Sequence, residues 1–533
     1  MSQQKSDAVV VAKGRRKTVP IVRALARGAK GSTVSQQSTQ LSLNFVTAEF
    51  PASKDKGAVV QAVAHPCASA SNAVPKAKSK QSFEQTARNR AVIEQLDRAL
   101  QNVVANRGAP GPDRYDVETV RAHWPHFRAE LVSSLSVGRY RPGLIRRVHI
   151  PKAGGGTRGL GIPNVIDRIV QEAVRLVLQP QYEPSFHKSS HGFRPQRSIH
   201  TAIQEGIEHL QEGNEWVVDL DLDSFFDRVN HQRLMARLQQ RINDRDLLQL
   251  IERMLVAQTV LPSGVIVNNE QGIPQGGPLS PLLSNVVLHE LDCELEQRKL
   301  RFVRYADDVR IFVRSERAGH RVKASITRFL EGRMRLRVNA SKSVVSRPDT
   351  QHFLGFRLRR DPTEGAVQVL LSSRTIQRQK ERIRELTPRS YGGSLTSCIK
   401  QVNEYLRGWI GVFGWCTEAA MFLLRVSDAH VRRRLRAIWI KDCKSKKSFA
   451  RKLIGMGIKR QTAWSRVYEK RKRIWAQSSM GVVHRALTYA YFAERGLISL
   501  EQQWSLHPQR LASKQLTLFG DRVRLSTNHS AGS

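Results

Sequence analysis

The chain is short of acid, of cysteine and of long apolar runs, and each shortage narrows what it can be. It carries 46 Asp+Glu against 87 Lys+Arg in 533 residues, a formal net charge of +41. Such a surplus repels itself, and a polyphosphate relieves the repulsion by releasing counterions, so nucleic acid is the first partner to expect. The five cysteines (Cys67, Cys293, Cys398, Cys416, Cys443) are scattered and form no CxxC pair. That argues against a disulfide framework or a structural zinc site, and for a reducing, intracellular compartment. There is no apolar run long enough to span a bilayer and no lipidation signal, so no membrane partner is expected. A GxxxxGK(S/T) stretch is also missing, which disfavours an ATP-driven motor.

What is present divides along the chain. Residues 1–80 are rich in Ser, Gln, Ala and Lys, with thirteen basic residues to three acids and little periodicity. They read as a basic disordered tail, with an organelle transit peptide as the competing reading. Helical periodicity begins near Ser82, and helices and strands then alternate to about residue 360. Beyond that the pattern is helical and basic. Between Arg425 and Trp475 stand eighteen Lys/Arg and three Asp/Glu, interleaved with Trp439, Trp464 and Trp475. A solvated helix face carries mixed signs, so this bias predicts a phosphate-binding surface at Arg432, Arg433, Arg434, Arg436, Lys446 and Lys447. Periodicity is lost again from about Leu506.

The scarce acids are concentrated. VRYADDVRIFV at 303–313 alternates like a hairpin whose turn carries Asp307 and Asp308. Taken alone this means little, because Asp is a good turn residue. A second stretch, EWVVDLDLDSFFDRVNH, puts Asp219, Asp221 and Asp223 on one strand face. Side by side, two such strands crowd several carboxylates, and two unit charges about 4 Å apart repel by roughly 4 kcal/mol at an effective dielectric of 20. A cation relieves that. Hard oxygen ligands suit magnesium, and an ion pair about 3.5–4 Å apart is a standard device for phosphoryl transfer.

YADD at 305–308 with VVDLDLDSFFD upstream resembles the palm of a reverse transcriptase. Six further stretches resemble segments of group II intron-encoded reverse transcriptases in their usual order: GAPGPD (108–113), RRVHIPKAGGGTRGLGIPNVIDRIVQ, HGFRPQRS (191–198), QGIPQGGPLSPLLSN (271–285), VNASKS (338–343) and FLGF (353–356). The likeness spans roughly residues 82–505. It implies an α+β right-hand polymerase: basic tail 1–80, fingers and palm 81–365, thumb or maturase region 366–440, basic DNA-binding region 441–505 and C-terminal tail 506–533.

By that resemblance, Asp221, Asp307 and Asp308 are the polymerase acids, with Asp221, Asp307 and the backbone carbonyl of Leu222 ligating two Mg2+ ions. Asp219 and Asp223 have no matching role and are expected to be solvated or paired locally. Phe226 corresponds to the bulky residue that excludes a 2′-hydroxyl and so selects dNTPs, whereas neighbouring Phe225 is open to a plain core role. Gln275 lies beside the nucleotide, Lys152 and Arg158 match the residues that hold its triphosphate, and Lys342 stands near the leaving phosphate. Ser280 reads as a helix N-cap followed by Pro281. YLRGWIGVFGW (405–415) resembles the maturase region that grips intron RNA, with a departure around Val412 and Phe413. The family's GxPGxDG ends here in Arg114, which predicts an altered loop. The endonuclease domain of many members is missing, so no second-strand cut by this chain is expected.

Two short patterns lie outside this likeness. QLSLNF (Gln40, Leu41, Leu43, Phe45) and QLTLF (Gln515, Leu516, Leu518, Phe519) resemble the peptides with which bacterial proteins bind the DNA polymerase sliding clamp, in which an extended segment inserts Leu and Phe into an apolar groove. The function to expect is RNA-directed DNA synthesis coupled to binding and splicing a group II intron RNA, and retrohoming into target DNA, in the bacterial cytoplasm at the nucleoid rather than an organelle. The alternatives are an RNA-binding splicing factor with a vestigial polymerase and a domesticated reverse transcriptase of DNA repair or phage defence. Phe226 disfavours an RNA replicase.

Overall fold

The computed structural model describes residues 88–151, 157–363, 365–388, 390–469 and 473–507, all within the unit Asn72–Ser533. The N-terminal periodicity folds as predicted: in the helices Arg90–Glu94 and Leu96–Asn106, the apolar positions Val92, Leu96, Ala99 and Val103 fall on one face and are buried. Both pack against Val165–Tyr182, a long helix in which Asp167, Arg168, Gln171 and Glu172 are buried beside its aliphatic residues.

Ten strands occur among the described residues: β1 (Ile145–Pro151), β2 (Thr157–Ile162), β3 (Trp216–Leu220), β4 (Thr259–Val260), β5 (Ile266–Val267), β6 (Arg301–Tyr305), β7 (Asp308–Val313), β8 (Val344–Ser346), β9 (Phe356–Arg360) and β10 (Val367–Leu371). They form one sheet in the order β2-β1-β4-β5, a second in the order β6-β7-β3-β8, and a β9-β10 pair. The fold is mixed α+β. The second sheet is antiparallel throughout and is covered on both faces. Because side chains alternate, Val218, Leu220, Val309 and Ile311 enter one core, whereas Val217, Val303 and Phe312 enter another. The first core gathers residues from Val92 to Val338; the second runs from Ala202 through the C-terminal helices to Trp504.

Those C-terminal helices include Ser373–Leu386, Leu395–Phe413 and Met421–Lys441. Asp428, buried in the last of these, accepts hydrogen bonds from the Ser499 hydroxyl (2.6 Å) and the Leu500 amide (2.9 Å). Its carboxylate thereby satisfies donors at the start of the helix Leu500–Ser505, a favourable place for negative charge. No helix among the described residues is long and apolar enough to cross a membrane.

Candidate functional site

The β6–β7 hairpin closes tightly. Tyr305 pairs with Asp308, leaving Ala306 and Asp307 as the turn. Asp308 is thus the first residue of β7. Ala306 takes φ 57°, a left-handed conformation that costs a non-glycine residue energy unless its surroundings enforce it. Beside the hairpin, β3 pairs with β7 in a register that sets Leu220 against Val309. Continued by one residue past the end of β3, this register brings Asp221 to Asp308.

Electrostatics report the crowding. Burial raises the Asp307 carboxyl above its usual range; its own backbone amide and Arg158 oppose this, and Asp221 adds to it. Enclosure by protein pushes Asp308 up to about 6, with Asp307 adding, Arg310 opposing, and Asp219 and Asp221 adding further. Asp308 as a residue still keeps an exposed surface. Asp219 is ion-paired to Arg310 (2.9 Å) and Asp223 to Arg228 (3.1 Å), so both have local partners.

The segment VNASKS holds Asp221 in place. The Asp221 amide donates to the Ser343 hydroxyl (3.0 Å), and its carbonyl accepts from the Asn339 amide (2.8 Å). The Asp223 amide donates to the Arg337 carbonyl (2.8 Å), completing a bridge between Leu222 and Val338. The two bonds of this bridge flank Leu222, so its own carbonyl takes no part in the ladder. From the same segment Lys342 extends its ammonium to 3.6 Å from the Asp221 carboxylate. The donor set of carboxylates and a carbonyl is hard oxygen, the chemistry magnesium prefers. As they stand, no three carboxylate, imidazole or thiol groups among the described residues are gathered closely enough to hold a metal ion.

Arg158 reaches this site from β2, where it pairs with Ile150 of β1 and is exposed. Lys152 lies outside the described residues. The two phenylalanines separate: Phe225 is 3% exposed and belongs to the core, whereas Phe226 is half-buried with its ring edge-on to Phe225 at 5.2 Å. Half-buried Gln275 is held through its carbonyl, which accepts from the Gly161 amide of β2 (2.7 Å). Gly276 beside it has φ 128°, and a Cβ there would stand 2.3 Å from the Gly161 carbonyl. Only glycine fits that approach.

Three expectations need correction. Ser280 is not the N-cap: the helix Ser280–Gln297 starts at Ser280 itself, and the hydroxyl donates to the Pro274 carbonyl (2.6 Å), tying the loop to the helix. Arg436 is 6% exposed, its guanidinium donating to the Leu487 carbonyl (3.1 Å) and meeting His484, so burial keeps it from presenting a charge to phosphate. The loop ending at Arg114 keeps a glycine-like backbone, since Arg114 takes φ 65°.

The neighbouring cations divide. Arg433 lies over the Trp475 ring at 4.0 Å, Arg434 donates to the Thr387 hydroxyl (2.9 Å), and Arg432 lies over Tyr489 at 5.8 Å. Trp439 is itself in the core. Lys446 and Lys447 are exposed. The clamp-like patterns, Gln40, Leu41, Leu43, Phe45 and Gln515, Leu516, Leu518, Phe519, lie outside the described residues.

A mixed α+β fold that places paired carboxylates at a hairpin turn and an adjacent strand end, flanked by Lys342 and Arg158, defines a nucleotidyl-transfer domain of reverse-transcriptase type with a helical extension. The family model described as reverse transcriptase (RNA-dependent DNA polymerase) matches residues 150–358, and that of the group II intron maturase-specific domain matches 376–454. Protein YkfC of Escherichia coli (strain K12) is 32% identical over 350 residues, which cover 58% of this chain and 89% of YkfC. The group II intron-encoded protein LtrA of Lactococcus lactis subsp. cremoris is 40% identical over 207 residues, 39% of this chain and 34% of LtrA. Nuclear intron maturase 4, mitochondrial, of Arabidopsis thaliana is 29% identical over 148 residues, 27% of this chain and 18% of that protein. The match therefore takes in most of YkfC but only about a third of LtrA. The chain belongs to the group II intron-encoded reverse transcriptase and maturase family.

Sequence reasoning missed Arg304, Asp292, Asn285 and Ser190, which are buried behind the turn. The one local signal was slight: an arginine between the apolar residues of β6, three positions before Asp307.

Proposed function

We propose that the chain is an RNA-directed DNA polymerase that binds a group II intron RNA, assists its splicing and supports retrohoming by target-primed reverse transcription. The observation that supports this reading is the β3–β7 register, which, continued one residue past β3, would bring Asp221 to Asp308. Residues 81–365 would serve as fingers and palm, 366–440 as thumb, and 441–505 as a DNA-binding region. Asp221, Asp307 and the Leu222 carbonyl would hold two Mg2+ ions, with Asp308 beside them. When bound, those ions supply charge neutralisation and orientation at the reacting phosphate. Arg158, with Lys152, steadies the triphosphate; Lys342 neutralises the leaving phosphate; Gln275 bears on the nucleotide; and the Phe226 ring blocks a 2′-hydroxyl. Exposed Lys446 and Lys447 contact nucleic-acid backbone. The two terminal patterns would tether the enzyme to a sliding clamp at replication forks, a reading that rests on sequence alone.

The test is primer extension on an RNA template. Wild-type protein with Mg2+ makes cDNA, and Asp307→Ala makes none while still binding intron RNA and promoting splicing. Splicing by a wild-type protein that makes no cDNA would favour the vestigial-polymerase alternative. Full extension by Asp307→Ala would overturn the metal-ligand assignment.

A further inference from the structure

Among the described residues Arg304 is the largest fully buried side chain, and its partner Asp292 is equally inaccessible. Burying a charge pair is costly unless every donor finds a partner. Here every donor does. Nε donates to Asp292 (2.7 Å), one terminal nitrogen to Asn285 (2.9 Å) and to the Ala306 carbonyl (3.0 Å), and the other to Ser190 (2.7 Å) and Asp292 (2.6 Å). Five bonds match the five N–H groups of a guanidinium.

These bonds converge on the turn. Ala306 holds the left-handed backbone that presents Asp307, and its carbonyl is one of the five acceptors. From the other side, the His191 amide donates to the Arg304 carbonyl (2.8 Å), and Asn285 donates to the Gly192 carbonyl (2.9 Å). Gly192 lies so close that a Cβ there would stand 2.2 Å from the Ala306 nitrogen. HGF at 191–193 and RYADD at 304–308 are thus one assembly, with Arg304 at its centre.

We infer that Arg304, seated on Asp292 and Asn285, is a positioning residue: it fixes the strained Ala306–Asp307 turn so that the Asp307 carboxylate is held in place for metal before any metal arrives. A hydrophobic pair would fill the same volume with comparable stability, but it would leave the Ala306 carbonyl unheld and the turn free to relax. The inference rests on the polymerase reading of Asp307, and its test separates the two.

The full-length Arg304→Met/Asp292→Leu protein is compared with wild type and with Asp307→Ala. Mn2+ binding is followed by electron paramagnetic resonance of the free ion, alongside thermal melting, template–primer affinity and primer extension. The expected result is a folded protein with template–primer affinity and dNTP KM near wild type, weaker Mn2+ binding and a kcat about 10²-fold lower, the scale of an ångström of misplacement. Asn285→Ala, which keeps the Arg304–Asp292 pair, should show the same pattern in smaller degree and decides the matter if the double variant does not fold. Wild-type Mn2+ affinity and kcat in a folded variant would overturn the inference and leave the cluster a core filler. If the wild-type protein makes no cDNA, the polymerase reading fails, while the Mn2+ comparison still decides whether Arg304 positions the turn.

Discussion

Adjacent side chains of one type do different work here because their surroundings differ. Phe225 fills the core, while Phe226 keeps an open face. Phe226→Ala should therefore admit ribonucleotides with little loss of stability, whereas Phe225→Ala should cost roughly 3–5 kcal/mol as a cavity in the core. Comparing rNTP with dNTP incorporation on an RNA template checks the first; an unchanged ratio would place the gate elsewhere. His430 makes a pH prediction. Burial and the surrounding cations Arg434, Arg384, Lys380 and Arg433 push its imidazole down to about 4 from an ordinary 6.5. In the unfolded chain it takes a proton near 6.5, so the unfolded state binds more protons between those values and stability falls as pH drops from 6.5 to 4. Melting curves across that window should be less pH-dependent in His430→Gln; an unchanged slope would mean that other groups dominate.

At the scale of elements, loops are pinned by approaches only glycine allows. The Gln275–Gly277 loop rests on β2 through the Gly161 amide, with Gly276 at φ 128°. Gly276→Ala should cost about 1–3 kcal/mol in backbone strain and collision. Because the shift carries Gln275 with it, the KM for dNTP should rise as well. Melting temperature and steady-state kinetics check the two together, and wild-type values in both would show that the loop relaxes freely. The GAPGPD loop is held similarly: a Cβ at Gly111 would stand 2.6 Å from the Asn164 Cα, and Arg168 donates to the Ala109 carbonyl (2.7 Å).

Across the whole molecule, a charge of +41 predicts nucleic-acid affinity that falls steeply with salt. Burial separates the cations that can reach a phosphate from those that cannot; Lys446 and Lys447 are exposed, the Lys446 ammonium lying 5.2 Å from the Tyr468 ring centre. Lys446→Gln with Lys447→Gln should flatten the plot of log affinity against log salt by about 0.9 for each phosphate no longer neutralised. Arg436→Gln should lower the melting temperature and leave that slope alone, since its guanidinium is committed to Leu487 and His484. An unchanged slope in the lysine variant would make their helix, Lys446–Gly455, a plain solvated face. At the same scale, Leu518→Ala with Phe519→Ala should weaken capture by purified sliding clamp, and adding Leu43→Ala and Phe45→Ala should nearly remove it, because two weak binding peptides on one chain act by avidity. No capture of the wild-type protein at physiological salt would end that reading.

Periodicity, turn chemistry and the order of motifs were enough to read the α+β class and the family, because each is a local pattern or a string of local patterns. Asp219 and Asp221 look equivalent along the strand; pairing with β7 commits Asp219 to Arg310 and sets Asp221 at the strand's open end. The arginines from 432 to 436 look equivalent too, until helix packing buries one and lays others over Trp475 and Tyr489. Arg304 carries at most a faint local mark, and its role is invisible along the chain, because its partners lie at 190, 285 and 292 as well as 306. Type and period are written in neighbouring residues, whereas burial and partnership arise only when segments distant in sequence pack together.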